Sequence, residues 1–195
     1  MHNPCKKISL LLPLSWLCLV VANPAFASPQ QMDEALRTRL VKAINDSKSF
    51  NDKFLAEVWL TDMSLRMRRY IKNSDDRIRI LRVLHEESAR ADIPPEMVLA
   101  VIETESAFNR YAISSVGARG LMQIMPFWLR EIGKPGEDLF DIRINLRIGC
   151  TILRYYLDKE KNDKRKALAR YNGSVGKRKY SDKVFNALSR RWYRQ

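Results

Sequence analysis

Glu105 is the residue in this chain best placed to do acid chemistry. On a helix that turns ~100° per residue, Val98 falls ~20° from Glu105, Val101 ~40° and Ile102 ~60°, whereas Glu103 lies ~160° away on the opposite side. A carboxyl that projects from an apolar face loses hydration, which disfavours its charged form and raises its pKa. Such a group can hold a proton near neutral pH and deliver it as a general acid. The wheel alone leaves two other readings open: a buried glutamate that caps a neighbouring helix, or a helix-end residue that turns to solvent.

Competing chemistries are limited by inventory. The first 27 residues read as an export leader: Lys6 and Lys7, an apolar stretch from Ile8 to Ala22, then Ala25-Phe26-Ala27 as a small-x-small cleavage pattern before Ser28. The apolar stretch is shorter than a spanning helix requires and contains Pro13. Beyond the leader, His85 is the one histidine and Cys150 the one cysteine. That excludes an intrachain disulfide framework, a zinc site built on His and Cys clusters, and any Ser-His-Asp arrangement not centred on His85. No metal or cofactor is expected. Setting aside the leader's two lysines leaves 33 basic residues against 22 acidic ones. Such a surplus favours an anionic partner, and export disfavours nucleic acid among them. Lys177 to Gln195 holds seven of the basic residues and only Asp182 on the acidic side. This C-terminal helix is expected to touch anionic wall or membrane, or else to be a solvated face.

The elements that must position Glu105 all read as helices. Met32 to Asp46 carries Leu36, Leu40 and Ile44 at helical spacing, and Phe54, Leu55, Val58, Trp59 and Met63 form a second stripe capped by Asn51 or Asp52. Asn73-Ser74-Asp75 restarts the pattern, with Ile78, Leu81, Leu84 and His85 along one face. His85 reads there as a residue at the edge of the core. Pro94 and Pro95 open the helix from Glu96 to Glu105, and a glycine- and serine-rich loop runs from Ser106 to Gly120. Leu121 to Ile132 is expected to be helical despite Pro126, Asn145 to Lys159 strongly so, with Cys150 in its apolar stripe. Helices at Lys166–Tyr171 and Ser181–Arg191 flank a turn at Asn172-Gly173-Ser174-Val175-Gly176. The fold class is all-α, with an N-terminal helical extension over 28–92 and a catalytic domain over 93–195.

The text around Glu105 resolves what the wheel leaves open. Glu105-Ser106-Ala107-Phe108-Asn109 is followed by Ser114-Ser115-Val116-Gly117-Ala118 and by Gly120-Leu121-Met122-Gln123-Ile124-Met125-Pro126. Asn145-Leu146-x-x-Gly149 and Ala169-Arg170-Tyr171-Asn172-Gly173 come next in order. This series resembles the signature of the soluble lytic transglycosylases, a branch of the lysozyme-like superfamily, over roughly Ile93 to Gly176. In that family the Met-Gln-x-Met-Pro block opens a helix. The resemblance implies an exported, periplasmic enzyme acting on peptidoglycan glycan strands, a carbon-oxygen lyase. Glu105 would be its sole acid/base, leaving 1,6-anhydro-N-acetylmuramic acid ends at cleaved bonds to N-acetylglucosamine. Ser114, Gln123 and Met125 would line the glycan cleft. Tyr171 would meet the Glu105 carboxyl or the sugar, and Asn172 would shape the turn. Ser114 as a turn residue and Met125 as core are the plainer alternatives.

The sequence also departs from the family pattern. Arg110 follows Asn109 where proline is usual, and Phe127-Trp128 replaces a threonine after Met-Pro. Gly173-Ser174 replaces Ala-Gly, and the usual Glu-Thr-x-x-Tyr stretch is absent, with Tyr180-Ser181-Asp182-Lys183-Val184 near its place. Three rivals follow: a hydrolytic muramidase using Glu137, Asp138 or Asp141 as a second carboxylate, a glycan-binding module of the same fold, and a membrane-active basic protein.

Overall fold

A computed structural model describes residues 53–193 apart from 133 and 135. The leader, the helix expected at Met32 to Asp46 and the caps expected at Asn51 or Asp52 lie outside the described residues. Among the described residues seven α-helices run in order: α1 (Lys53–Met67), α2 (Ser74–Arg90), α3 (Pro95–Ser106), α4 (Phe127–Ile132), α5 (Ile142–Lys159), α6 (Lys164–Tyr171) and α7 (Lys179–Ala187). A π-helical turn, Leu188–Trp192, continues α7. None of these helices is long and apolar enough to cross a membrane.

Local sequence sets the helix starts. The Asn73 side chain accepts from the backbone N–H groups of Asp75 and Asp76, and Asp141 and Asp163 cap α5 and α6 in the same way. Asp75 and Asp76 also place negative charge at the positive end of α2. Pro95 starts α3, where its missing N–H has no partner to lose.

The core forms around α3. Met97 to Ile102 are all buried, six residues in succession, so this helix is enclosed on every side and not packed along one stripe. It packs against α2, α7 and the π-helical turn, while α5 packs against α2 and α6. Glu87 of α2 is buried and meets three arginines: Arg90 on its own helix at 2.7 Å, and Arg147 (3.0 Å) and Arg143 (3.4 Å) on α5. A buried charge is tolerated only when paired in this way. Arg90 reaches on to the Thr151 hydroxyl at 2.9 Å.

Leu121 to Ile132 departs from the expected single helix. Residues 121–124 form a turn, Arg119 makes isolated antiparallel bridges with Ile113 and Ile124, and helix begins only at Phe127. Gly120 and Gln123 both have positive φ, at 76° and 50°, which no helix accommodates. Pro126 then lacks the N–H that a continuing helix needs. The C-terminal helix also begins two residues earlier than Ser181 and changes to π geometry after Ala187.

Candidate functional site

Glu105 sits at the last turn of α3, one residue before the helix ends. The helix stops because Ala107 and then Phe108 take left-handed backbone geometry, with φ of 48° and 65°. Two non-glycine residues in that region are costly. The buried ring of Phe108, packed between Tyr70 and Trp192, holds them there.

The Glu105 side chain lines a cavity of about 320 Å³ together with Asn172, Lys177, Lys179, Tyr180 and Lys183. Tyr180 Oη donates to Glu105 Oε1 at 2.6 Å. Burial pushes the Glu105 pKa from the ordinary 4.5 up to about 7, and the Tyr180 hydrogen bond opposes part of that rise. The two effects have opposite signs because desolvation disfavours the carboxylate whereas a donor to it favours it. The phenol of Tyr180 is itself raised well above its ordinary range, by burial first and then by the Glu105 charge. Tyr180 therefore keeps its proton and acts here only as a donor.

Glu103 meets different surroundings. Arg191 Nε donates to it at 2.7 Å, Trp192 Nε1 donates at 2.7 Å, and Arg191 completes a two-pronged ion pair. The two glutamates are separated as their helical positions require, one to the cavity and one to the C-terminal π-helical turn.

The sequence-predicted residues divide into two groups. Asn172 shares the cavity with Glu105, and Tyr171 is close enough that the Glu105 charge raises its pKa further, after burial. The Tyr171 hydroxyl is not bonded to that carboxyl and donates to the Met122 carbonyl at 2.8 Å. Ser114, Gln123 and Met125 belong to the turn before α4. Ser114 Oγ accepts from the Ala118 N–H at 3.0 Å, and Gln123 Nε2 donates to the Ala112 and Gly120 carbonyls. Met125 is half-buried against the core. His85 is away from the cavity, half-buried edge-on to the Trp59 ring at 5.1 Å, with its pKa lowered by burial.

That turn is fixed from three sides. Ser106, at the end of α3, donates from Oγ to the Leu121 carbonyl at 2.8 Å. Tyr171 holds Met122 from α6. Asn145 of α5, 1% exposed, accepts from Met122 N–H (2.8 Å) and donates to the Arg119 (2.9 Å) and Leu139 (2.8 Å) carbonyls. Gly149 lies one turn further along α5, where an added Cβ would stand 2.4 Å from Met122 Sδ. Gly149 thus lets α5 approach the turn closely.

Sequence reasoning missed Tyr180 as the hydroxyl on Glu105 and Asn145 as the clasp on the turn. The signal for Tyr180 was present in the tyrosine standing near the absent Glu-Thr-x-x-Tyr stretch. For Asn145 the signal was a polar residue on the apolar side of a strong helix.

The family model described as the transglycosylase SLT domain matches residues 82–191. The chain belongs to the transglycosylase SLT domain family. The matched span includes Glu105, Tyr180 and every residue of the clasped turn. Among relatives of this SLT-domain chain, a transglycosylase of Enterobacteria phage PRD1 is 34% identical over 97 residues, covering 50% of this chain and 36% of the phage protein. The soluble lytic murein transglycosylase of Escherichia coli K12 is 35% identical over 95 residues, covering 44% and 15%. The chain thus spans little more than a third of the length of the first of these relatives and far less of the second. The solved 70 kDa soluble lytic transglycosylase of E. coli aligns at 22% identity with a TM-score of 0.45, covering 81% of this chain and 26% of that one.

Proposed function

We propose that this chain cleaves peptidoglycan glycan strands without water, between N-acetylmuramic acid and N-acetylglucosamine, with Glu105 as its one acid/base. The observation that carries the reading is a carboxyl in a cavity whose pKa is pushed up to about 7 by burial. Membership of the SLT domain family supports the substrate class.

Protonated Glu105 donates to the glycosidic oxygen, and the bond from that oxygen to muramyl C1 breaks. The departing N-acetylglucosamine keeps the proton on its 4-hydroxyl. Positive charge develops at C1, and the acetamido carbonyl of the same muramyl residue is positioned to share it. The Glu105 carboxylate, stabilised by the Tyr180 donor, then takes the proton from the muramyl C6 hydroxyl as O6 bonds to C1. Glu105 is protonated again at the end and no water is consumed.

A hydrolytic route would need a second carboxylate to aim water. Among the described residues, Glu105 is the one acidic side chain lining this cavity. Asp141 caps α5, Asp138 accepts from the Phe140 N–H and Glu137 from the Lys134 N–H. All three carboxylates are thus engaged in local turns, which favours the non-hydrolytic reading. Retention of a protonatable carboxyl argues against a purely glycan-binding role. We further propose export through residues 1–27 to the periplasm, which predicts a mature N-terminus at Ser28.

Digestion of purified sacculi by wild type and Glu105→Gln, with mass analysis of released muropeptides, tests the reading. Wild type should release products one water lighter than hydrolysis gives, and the variant should lose at least about a hundredfold in rate. Products that carry the added water would sink the mechanism, and equal release by the variant would sink the role of Glu105.

A further inference from the structure

The Glu105 cavity carries more positive charge than the acid chemistry uses. Lys177, Lys179 and Lys183 all line it, and none makes an ion pair with a described residue. Three other cations nearby are paired, Arg165 with Asp182, Lys166 with Asp163 and Arg170 with Glu160, whereas Arg178 makes no ion pair with a described residue. Asp182 lies between Lys179 and Lys183 in sequence, yet it turns away from them to Arg165. Lys179 and Lys183 are four apart on α7, a spacing at which like charges repel.

Three unpaired ammonium groups on one wall match an anion with several acceptor oxygens.

We propose that Lys177, Lys179 and Lys183 form a carboxylate-binding subsite that holds the muramyl substituent of the strand while Glu105 acts on its glycosidic bond. This rests on the functional reading above. On such a strand the anionic groups beside the scissile bond are carboxylates: those of the stem peptide, or the lactyl carboxylate where the peptide has been removed. A neutral glycan offers this wall no partner. The lysines thereby select for the muramyl side of the bond and for its substituent.

The test compares wild type, the triple variant Lys177→Ala/Lys179→Ala/Lys183→Ala, the corresponding triple arginine variant, and a control removing three exposed charges at Lys72, Lys134 and Lys164. Soluble glycan strands are supplied with native stems, with stem carboxylates neutralised by amidation, and with stems removed to leave the lactyl carboxylate. On native strands the alanine triple should raise KM about tenfold, as expected for losing a few modest charge pairs. The change in kcat should be smaller, arginine should restore KM, and the control should match wild type. Amidation should abolish the difference between wild type and the alanine triple. If the difference persists on stripped strands the subsite also takes the lactyl carboxylate, and if it vanishes the subsite takes the stem carboxylates alone. Equal KM for wild type and the alanine triple on native strands overturns the subsite, as does an effect that survives amidation or is matched by the control. Pelleting of each protein with sacculi reads the lysines independently of turnover. Failure of wild type to form anhydro ends would therefore overturn the mechanism without touching this result.

Discussion

Glu103 and Glu105 leave α3 two positions apart and reach different surroundings, and each consequence is local. With its pKa at about 7, Glu105 holds its proton below that pH and loses it above. The kcat/KM of the free enzyme should therefore fall as pH rises past neutrality. Tyr180→Phe removes the donor that favours the carboxylate, so Glu105 becomes a weaker acid and the falling limb should move to higher pH. The same loss should cost about tenfold in maximal rate, since the donor also stabilises the carboxylate formed during turnover. Stability carries the opposite sign from a salt-bridged acid. The folded pKa is above the unfolded one, so the native state binds more protons between pH 4.5 and about 7 and stability declines as pH rises through that window. Glu105→Gln has no such proton to lose. It should be more stable than wild type at pH 8, by up to about 3 kcal/mol, with the difference vanishing near pH 4. Thermal melts of both proteins across that range check it. Of this site, helical spacing marked Glu105 as a candidate acid, and the motif around it chose among the readings that spacing left open. Its hydroxyl partner was not legible, because Tyr180 is 75 residues away and spacing along one helix says nothing about what another brings to it.

Among the elements, the short turn between Gly120 and Met125 depends most on residues outside itself. Asn145 satisfies three backbone groups from within α5, and replacing it with alanine leaves the buried Met122 N–H and Leu139 carbonyl unmet, while the Arg119 carbonyl keeps the Ile124 N–H. Asn145→Ala should destabilise by about 3 kcal/mol or more, measured by denaturant unfolding. Activity should fall more steeply than the folded fraction, because the turn carries Gln123 and Met125. The helix expected over 121–132 failed at this point for a physical reason. The apolar spacing of Leu121, Met122, Ile124 and Met125 fits a helix, but Gln123 adopts positive φ under the hydrogen bonds of its own side chain to Ala112 and Gly120. Side-chain pattern alone does not reveal that. Helix starts at Asn73 and Pro95 were readable because their signals are local: a side-chain cap and a ring with no N–H.

At the scale of the whole molecule, α2 shares its core with the helices around the site. Buried Glu87 answers Arg143 and Arg147 from α5, and Ile80, Leu81 and Leu84 of α2 are buried with α3. A chain starting at Ile93 would leave both arginines without that carboxylate and expose the flank of α3. It should lose cooperative unfolding, whereas a chain starting at residue 53 should keep it; near-ultraviolet circular dichroism through a thermal scan separates the two. The other end is fastened as firmly. Trp192 is fully buried, Arg191 holds Glu103, and Arg66 of α1 donates to the Arg191 carbonyl. The charge of the final segment is thus divided between structure and surface, with Arg191 closing the core and the three lysines on the cavity wall.

Cys150 gives the molecule a built-in clock. Its thiol is fully buried in α5, and burial pushes its pKa up to about 12, so almost none of it is thiolate at neutral pH. In the chain from Ser28 onward it is the only sulfhydryl. A soluble alkylating reagent can reach it only when α5 parts from its neighbours. The labelling rate then reports how often the scaffold beneath the candidate site opens, with no engineered probe and no reducing agent.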